Sequence, residues 1–396
     1  MYKKLLNRIL IFSCIVVLLM NPLEIKADTV PDSDAVDRYV KTYIDRNGLP
    51  GASVVIVKDG KIIHEKGYGH DAEGNALTEN SLMRVGSASK SFTAFSVLQL
   101  VDEGKIRLDD TVAAHLPELT MNDVRFREIT IRQLISHTSG IPNPTIVPSA
   151  KSIEEGIRRL EGWKLMWNPG EKYNYSNPNY WVLARLVEVI SGLPFEDYLK
   201  QNIFIPLGMN ETLSTINTSD EVEGLSQGFL TAFGTAFPWT ELEQMYAGAG
   251  GVITTASDMG KWLSMHMNIG MNAEGERLIS EALLDESYSA QPGSSRYGLG
   301  WSLSSPHVKP ARISYSGALS TVQAQQDLVP SSGYAVAVIL NCFTSTLEHS
   351  YEISSGIIQL TEGAASRRKN AHTDNYRLRH RSPDDSLHPS GDKRDT

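Results

Sequence analysis

Three short stretches of this 396-residue chain carry residue types able to do acyl-transfer chemistry. In "RVGSASKSFTAF" (residues 84–95), Ser87 stands at the mouth of an apolar helical pattern, with Lys90 one turn further in. Positions three apart on a helix share a face, so the amine can lie beside the hydroxyl. A serine is a weak nucleophile until a neighbouring base takes its proton. A helix N-terminus also favours anions, and the backbone N–H of Ser87 can face a developing oxyanion. The same field disfavours a lysine in a first turn, so its presence there asks for a use.

The spacing alone is not specific. Ser366/Lys369 and Ser390/Lys393 repeat it, but both fall in a polar C-terminal stretch where no core could hold an amine against a hydroxyl. The second stretch, "PGEKYNYSNPNYWVLARLVEVISG", sets Tyr175-Ser176-Asn177 in a turn just before a helix, which can present Tyr175 and Asn177 to one side of a cleft. The third, "ISYSGALS" (residues 313–320), is a strand interrupted by Gly317. Glycine in a strand often marks close approach of a ligand or another backbone, and the N–H of Ala318 could then be a second oxyanion donor. Free tyrosine and lysine are both protonated at neutral pH, so one must shift by roughly three units, about 4 kcal/mol, to act as a base. A Lys–Tyr contact in a partly dry cleft pushes that way, and the pair then titrates as a unit.

The elements that must position these groups are legible. Residues 34–48 read as a helix ending on glycine. Residues 51–69 form two β-branched runs around Asp59-Gly60, a hairpin signal. Helices are expected over 87–103, 176–192 and 254–270, the last capped by Ser257 or Asp258. Strand character returns in "RYGLGWSLS", "RISYSGALSTVQAQQDLVP" and "GYAVAVILN", with a turn at 331–333, and a last helix fits 345–360. Strands thus flank a mostly helical middle, about 105–285. The economical solution is an α/β fold of the α+β type: one antiparallel β-sheet built from both ends of the chain, flanked by helices, with the middle as a large, mostly helical inserted domain.

Composition sets the limits. Apolar content of 41% and charged content of 21% belong to a soluble globular protein, and a net charge of −9 gives no nucleic-acid footprint. Lys3, Lys4 and Arg8 precede the apolar run 9–20, and Ala27 offers a cleavage position. Residues 1–27 therefore read as a signal peptide, with an uncleaved membrane anchor as the rival, and the protein as secreted or extracytoplasmic. The lipoprotein-like "IFSC" at Cys14 has too short an apolar stretch before it. Removal of Cys14 with the signal leaves Cys342 alone, expected as a small buried residue at a strand end. Residues 363–396 are too poor in large apolar side chains to offset ordering entropy and read as a disordered tail, with a basic patch for anionic polymers as an alternative. No His/Cys/Asp cluster has metal-ligand spacing and no glycine-rich loop suggests a nucleotide, so neither metal nor cofactor is expected.

Taken together and in this order, the three stretches resemble the class C β-lactamase-like serine hydrolases, which include class C β-lactamases, D,D-peptidases and other penicillin-binding proteins, D-aminopeptidases and family VIII esterases. "ITIRQLISHTSGIP", "IPLGM" and "GAGGVITTASDMGKWL" fit the same pattern, and the resemblance spans roughly 34–360, within a hydrolase domain taken as 28–362. It implies Ser87 as nucleophile, Lys90 as its partner, Tyr175 as general base and then acid, Asn177 on the substrate amide, and the N–H groups of Ser87 and Ala318 as the oxyanion hole. It implies a small-molecule or peptide substrate, with peptidoglycan and a peripheral membrane or cell-wall association in view. Alternatives within it are a carboxylesterase, a β-lactamase, or an idle peptidoglycan- or β-lactam-binding protein.

One position departs from the pattern. Where relatives usually carry Lys or His in the third motif, this chain has Tyr315-Ser316-Gly317. A neutral phenol donates one hydrogen bond without charge, which weakens recognition of a carboxylate. His137 in "SHTSG" invites a triad reading, but the stretch stands apart from the three motifs and is expected to be structural.

Overall fold

Asp59 and Gly60 both take positive φ, 47° and 72°, the conformation of a two-residue hairpin turn whose twist suits the flanking strands. They join β1 (Gly51–Lys58) to β2 (Lys61–Gly69). Four further strands come from the C-terminal part: β3 (Ser302–Leu303), β4 (Ile313–Leu319), β5 (Val322–Val329) and β6 (Tyr334–Leu340). All six form one antiparallel sheet in the order β2-β1-β6-β5-β4-β3. The two ends of the chain thus meet at the β1–β6 pair, where Val54 lies opposite Val338. The computed structural model describes residues 32–145, 147–346 and 348–362. Residues 1–27, read from sequence as a signal peptide, and 363–396, read as a disordered tail, lie outside them.

Alternation along the central strands divides the core in two. Val55 and Val57 of β1, with Ala335, Ala337 and Ile339 of β6, join one apolar cluster; Val54 and Ile56, with Val336, Val338 and Leu340, join the other. Side chains two apart share a face, so each central strand serves both cores and is apolar nearly throughout. Helices α1 (Ser33–Asn47) and α5 (His349–Thr361) cover the second face. Helices α2 (Ser89–Asp102), α3 (Asn177–Ser191) and α4 (Ala256–Met267) build the first. Helix α2 is buried on all sides from Ser89 to Leu100, as a helix must be that runs through the middle of a core. Cys342 is fully buried at the end of the strand region, and burial pushes its thiol up to about 12.

Differences from the sequence reading lie at the short pieces. Thr255, not Ser257 or Asp258, caps α4, its side chain accepting from the N–H of Asp258. In "RYGLGWSLS" only Ser302–Leu303 pairs as strand. Between 105 and 285 the chain is not helical alone. Leu213–Ser214 and Val252–Thr254 form a small sheet with Met83–Arg84, and Phe229–Ala232 and Thr235–Pro238 form another with Cys342–Phe343. Strands of two to four residues are too short to show alternation. No helix among the described residues is long and apolar enough to cross a membrane.

Candidate active site

A single turn of 3-10 helix, Gly86–Ala88, leads into α2 and lifts Ser87 to its mouth. The loop is pressed against β4. A Cβ on Gly317 would stand 1.9 Å from the carbonyl oxygen of Val85 and 3.0 Å from the nitrogen of Ser87. From the other side, Gly86 has φ 51°, and its Cβ would stand 2.8 Å from the nitrogen of Ala318. Two glycines, one on each backbone, thus allow the Ser87 and Ala318 amides to come together. The approach suspected at Gly317 is that of a second backbone.

Lys90 is fully buried. Its Nζ donates to the carbonyl of Ala249 at 2.6 Å and reaches Ser87 Oγ at 3.1 Å. Burial holds its ammonium well below the usual lysine range, since charge is disfavoured away from water. Ser87 Oγ lies 2.8 Å from the Tyr175 hydroxyl, which reaches Asn177 Oδ1 at 3.2 Å. The amine does not sit on the phenolic oxygen. It sits over the ring faces, 5.0 Å from the centroid of Tyr175 and 5.5 Å from that of Tyr180. Burial raises the Tyr175 phenol above its ordinary value, partly opposed by the hydrogen bond to Ser87. The shifts come from burial rather than from a direct amine–phenol contact: the lysine moves toward its free base and the tyrosine toward its protonated form.

The turn that presents Tyr175 rests on "SHTSGIPNP". His137 takes φ 58°, and its carbonyl accepts from the N–H of Asn174 at 2.8 Å. Its Nδ1 faces the N–H of Ser176 and the amide of Asn179, each at 3.2 Å, and its ring lies 4.6 Å from that of Tyr175. Asn143 Oδ1 accepts from the N–H of Asn177. Burial, and then the Lys90 charge, keeps His137 well below its usual range. It is a structural residue, but it is not remote from the motifs as its sequence position suggested; it underlies Tyr175. The loop 248–252 is a second support that the motifs did not reveal. Thr93 donates to the Gly248 carbonyl and Ser89 accepts from Val252 N, so the first turns of α2 fix the Ala249 oxygen on Lys90. Its sequence signal was the glycine run in "GAGG".

Tyr315 and Ser316 face opposite ways, as neighbours on a strand do. Tyr315 is 4% exposed, and its hydroxyl accepts from Tyr297 at 2.7 Å. Tyr297 lies 3.5 Å from Tyr180, which donates to the Ile135 carbonyl. The phenol expected at the substrate is thus built into a buried chain of phenols, because an apolar interior leaves its hydroxyl no water to bond. Ser316 Oγ turns to Gln325 Oε1 on β5, so its side chain does not join Ser87, Lys90 and Tyr175.

A nucleophile, an amine and a phenol in one hydrogen-bonded cluster beside two apposed amides define a serine acyl-transfer class of site. The chain belongs to the Beta-lactamase family, whose pattern matches residues 36–354. It is 29% identical over 311 residues to penicillin-binding protein 4 of Amycolatopsis lactamdurans, covering 74% of this chain and 81% of that protein. It is 26% identical over 316 residues to protein flp of Staphylococcus aureus strain N315, covering 77% of this chain and 62% of flp. In fold it is similar to the octameric penicillin-binding protein homologue from Pyrococcus abyssi (TM-score 0.70, 24% identity, 84% of this chain and 78% of that one). It is also similar to a penicillin-binding protein from Bacillus halodurans (TM-score 0.67, 21% identity, 81% and 98%).

Proposed function

We propose that this protein is an exported serine hydrolase that works through an acyl-enzyme and acts on cell-wall-type peptides or D-amino-acid amides. The observation that carries this reading is the placement of Ser87 Oγ between Lys90 Nζ and the Tyr175 hydroxyl, at 3.1 and 2.8 Å. Ser87 attacks the substrate carbonyl carbon while its proton passes to the Lys90 amine. The carbonyl oxygen takes the negative charge and rests on the N–H groups of Ser87 and Ala318. When the tetrahedral species collapses, the bond to the leaving group breaks and Tyr175 delivers a proton to it. Acylation leaves Lys90 as the ammonium and Tyr175 as the phenolate. In the second half the phenolate takes the proton of the water that attacks the acyl carbon, the Ser87 ester bond breaks, and the Lys90 ammonium returns its proton to Ser87 Oγ, which restores all three groups. With the lysine depressed and the tyrosine raised, Lys90 is the base of the first step and Tyr175 the acid, a division of labour that differs from the one the resemblance implies. Asn177 orients both the Tyr175 hydroxyl and the substrate amide. Export is supported by the basic-then-apolar first 27 residues.

A carboxylesterase is the second reading, favoured by Tyr315 in place of the usual cation: an ester makes no demand for a charge there. A panel of D-amino-acid amides, D-Ala-D-Ala peptides, short p-nitrophenyl esters and nitrocefin, each run against Ser87→Ala, tests both. Turnover lost throughout the panel in Ser87→Ala supports the acyl-enzyme. Turnover retained in the variant refutes it, and turnover of the esters alone selects the second reading.

A further inference from the structure

On the Ser316 face of β4 lies a cavity of about 700 Å³ that also reaches Tyr173, two residues before Tyr175. Lys172, Arg296 and Arg312 line it, with seven serines, and no carboxylate does. Arg312 is the telling residue. It is 6% exposed; its Nη1 donates to Ser355 Oγ at 2.7 Å, while its Nε is buried without a partner. Neither it nor Arg296 forms an ion pair among the described residues. Asp327, the buried carboxylate behind the strand pair, is already held by Ser314, Gln325 and Ser354. A buried guanidinium normally has a carboxylate or phosphate to offset its desolvation. Here the protein supplies none.

We propose that this cavity receives a group with two negative charges on the leaving-group side of the substrate, either a dicarboxylic residue or a phosphate ester. Three cations from three separate segments exceed what a single carboxylate needs, and the serine hydroxyls suit its oxygens. The side follows from Tyr173, which borders the cavity two residues before Tyr175, the acid that must stand against the leaving atom. The charge missing at Tyr315 is thus supplied from the other face of the same strand. The assignment of the leaving-group side rests on the acyl-transfer reading; the anion site itself does not.

Calorimetric titration of the full chain carrying Ser87→Ala, at low salt, tests it without requiring turnover. The ligands are N-acetyl-D-Ala-D-Glu, its diamide, glutarate and inorganic phosphate. The free diacid is expected to bind at least tenfold more tightly than the diamide, and glutarate or phosphate to compete with it; the tighter of the two names the source of the charge. Adding Arg312→Gln, or Arg296→Gln at the exposed position where folding is not at stake, should remove that preference, and added salt should weaken it. Equal binding of acid and diamide, no binding by any of the four, or a preference untouched by either arginine variant overturns the proposal. Turnover in the substrate panel that persists in Ser87→Ala would instead sink the hydrolase reading and leave the anion site standing.

Discussion

Two cavities of similar size flank the β4–β5 hairpin, and their charges are opposite. The one beside Ser316 has about 700 Å³ and three cations. The other, about 620 Å³, lies past the hairpin turn and is lined by Glu73, Asp220, Glu221, Glu241 and Glu243 around Arg84. In the acidic cavity the key charges are already answered by the protein. Glu241 accepts from the backbone N–H groups of Ser320 and Thr321, at 3.0 and 2.7 Å, and from both hydroxyls. Asp220 caps Ile216 and Asn217, and Arg84 donates to the Thr218 carbonyl at 2.9 Å. In the basic cavity Arg312 Nε has no answer at all. Volume does not separate a binding site from a joint in the fold; unsatisfied charge does.

Strand β4 lines the basic cavity with one face and presses on the Ser87 loop with Gly317, and breaking that contact gives the largest effect. Gly317→Ala puts a methyl 1.9 Å from the Val85 carbonyl, which is backbone and cannot turn aside. The strand and the Ser87 loop must separate, and the two amides no longer converge. Loss of one oxyanion donor costs on the order of 10²–10³ in rate. Gly317→Ala should lower kcat by at least that much on any substrate the protein turns over, while KM moves little. A rate within tenfold of wild type would show that Ala318 N is not part of the site.

The acidic side is sharpened by Glu241→Ala. Hydrogen bonds to an ionised group contribute about 1.5–3 kcal/mol, and truncation leaves two backbone donors at the turn unpaired. A loss of about 2–3 kcal/mol in urea unfolding is expected, with a secondary fall in kcat because the turn holds Ala318. Unchanged stability would mean that the latch is cosmetic and that the acidic cavity is open to a ligand after all.

Lys90 is buried with neutral partners and, among the described residues, no carboxylate, and its depressed titration has a pH signature. Its folded pKa lies below the ordinary lysine value, so over the interval between the two the unfolded chain binds more protons than the folded one. Wild-type stability therefore rises with pH up to about 10.5, the unfolded lysine value, and the contribution is lost as pH falls toward the folded pKa. Lys90→Met removes that dependence. Its stability relative to wild type should be greatest near pH 7 and narrow toward pH 10. A gap constant over that range would indicate a lysine that titrates normally, and with it the loss of Lys90 as the first base.

How much of this could be read from the chain depends on whether a signal is local. The hairpin at Asp59-Gly60, helices α1, α2 and α3, and an antiparallel sheet drawn from both ends announced themselves through period and turn residues; its count of six strands did not. Ser87 and Lys90 were legible because three residues on a helix fix their relation. Gly317 was legible because a strand seldom carries glycine without cause. The seat of Lys90 Nζ was not, since it lies over the Tyr175 ring rather than on its oxygen, a placement set by its bond to the Ala249 carbonyl in loop 248–252. His137 stands apart from the three motifs in sequence, 38 residues before Tyr175; only the fold brings the rings together. The direction of Tyr315 into a phenol chain needed Tyr180, from within the central region, and Tyr297, from beyond its end. Neither cavity could be inferred, as each is lined from segments that no periodicity connects.

The smallest effect is the one that best separates a binding charge from a structural one. Arg296 is exposed and makes no ion pair among the described residues, so folding has little use for its charge. Surface substitutions of this kind usually change stability by no more than about 0.5 kcal/mol. Arg296→Gln should therefore unfold in urea within that margin of wild type, in contrast to Glu241→Ala on the acidic side. The comparison is clean because both variants remove one charge from one cavity wall. Three neighbouring cations with no carboxylate also repel one another, and Gln relieves part of that repulsion, so the sign of the small change should be stabilising at low salt and vanish near 0.5 M salt, where screening reaches only a few ångströms. If Arg296→Gln instead destabilises the fold by as much as Glu241→Ala does, the basic cavity is a structural joint like its neighbour, and the distinction drawn between the two collapses.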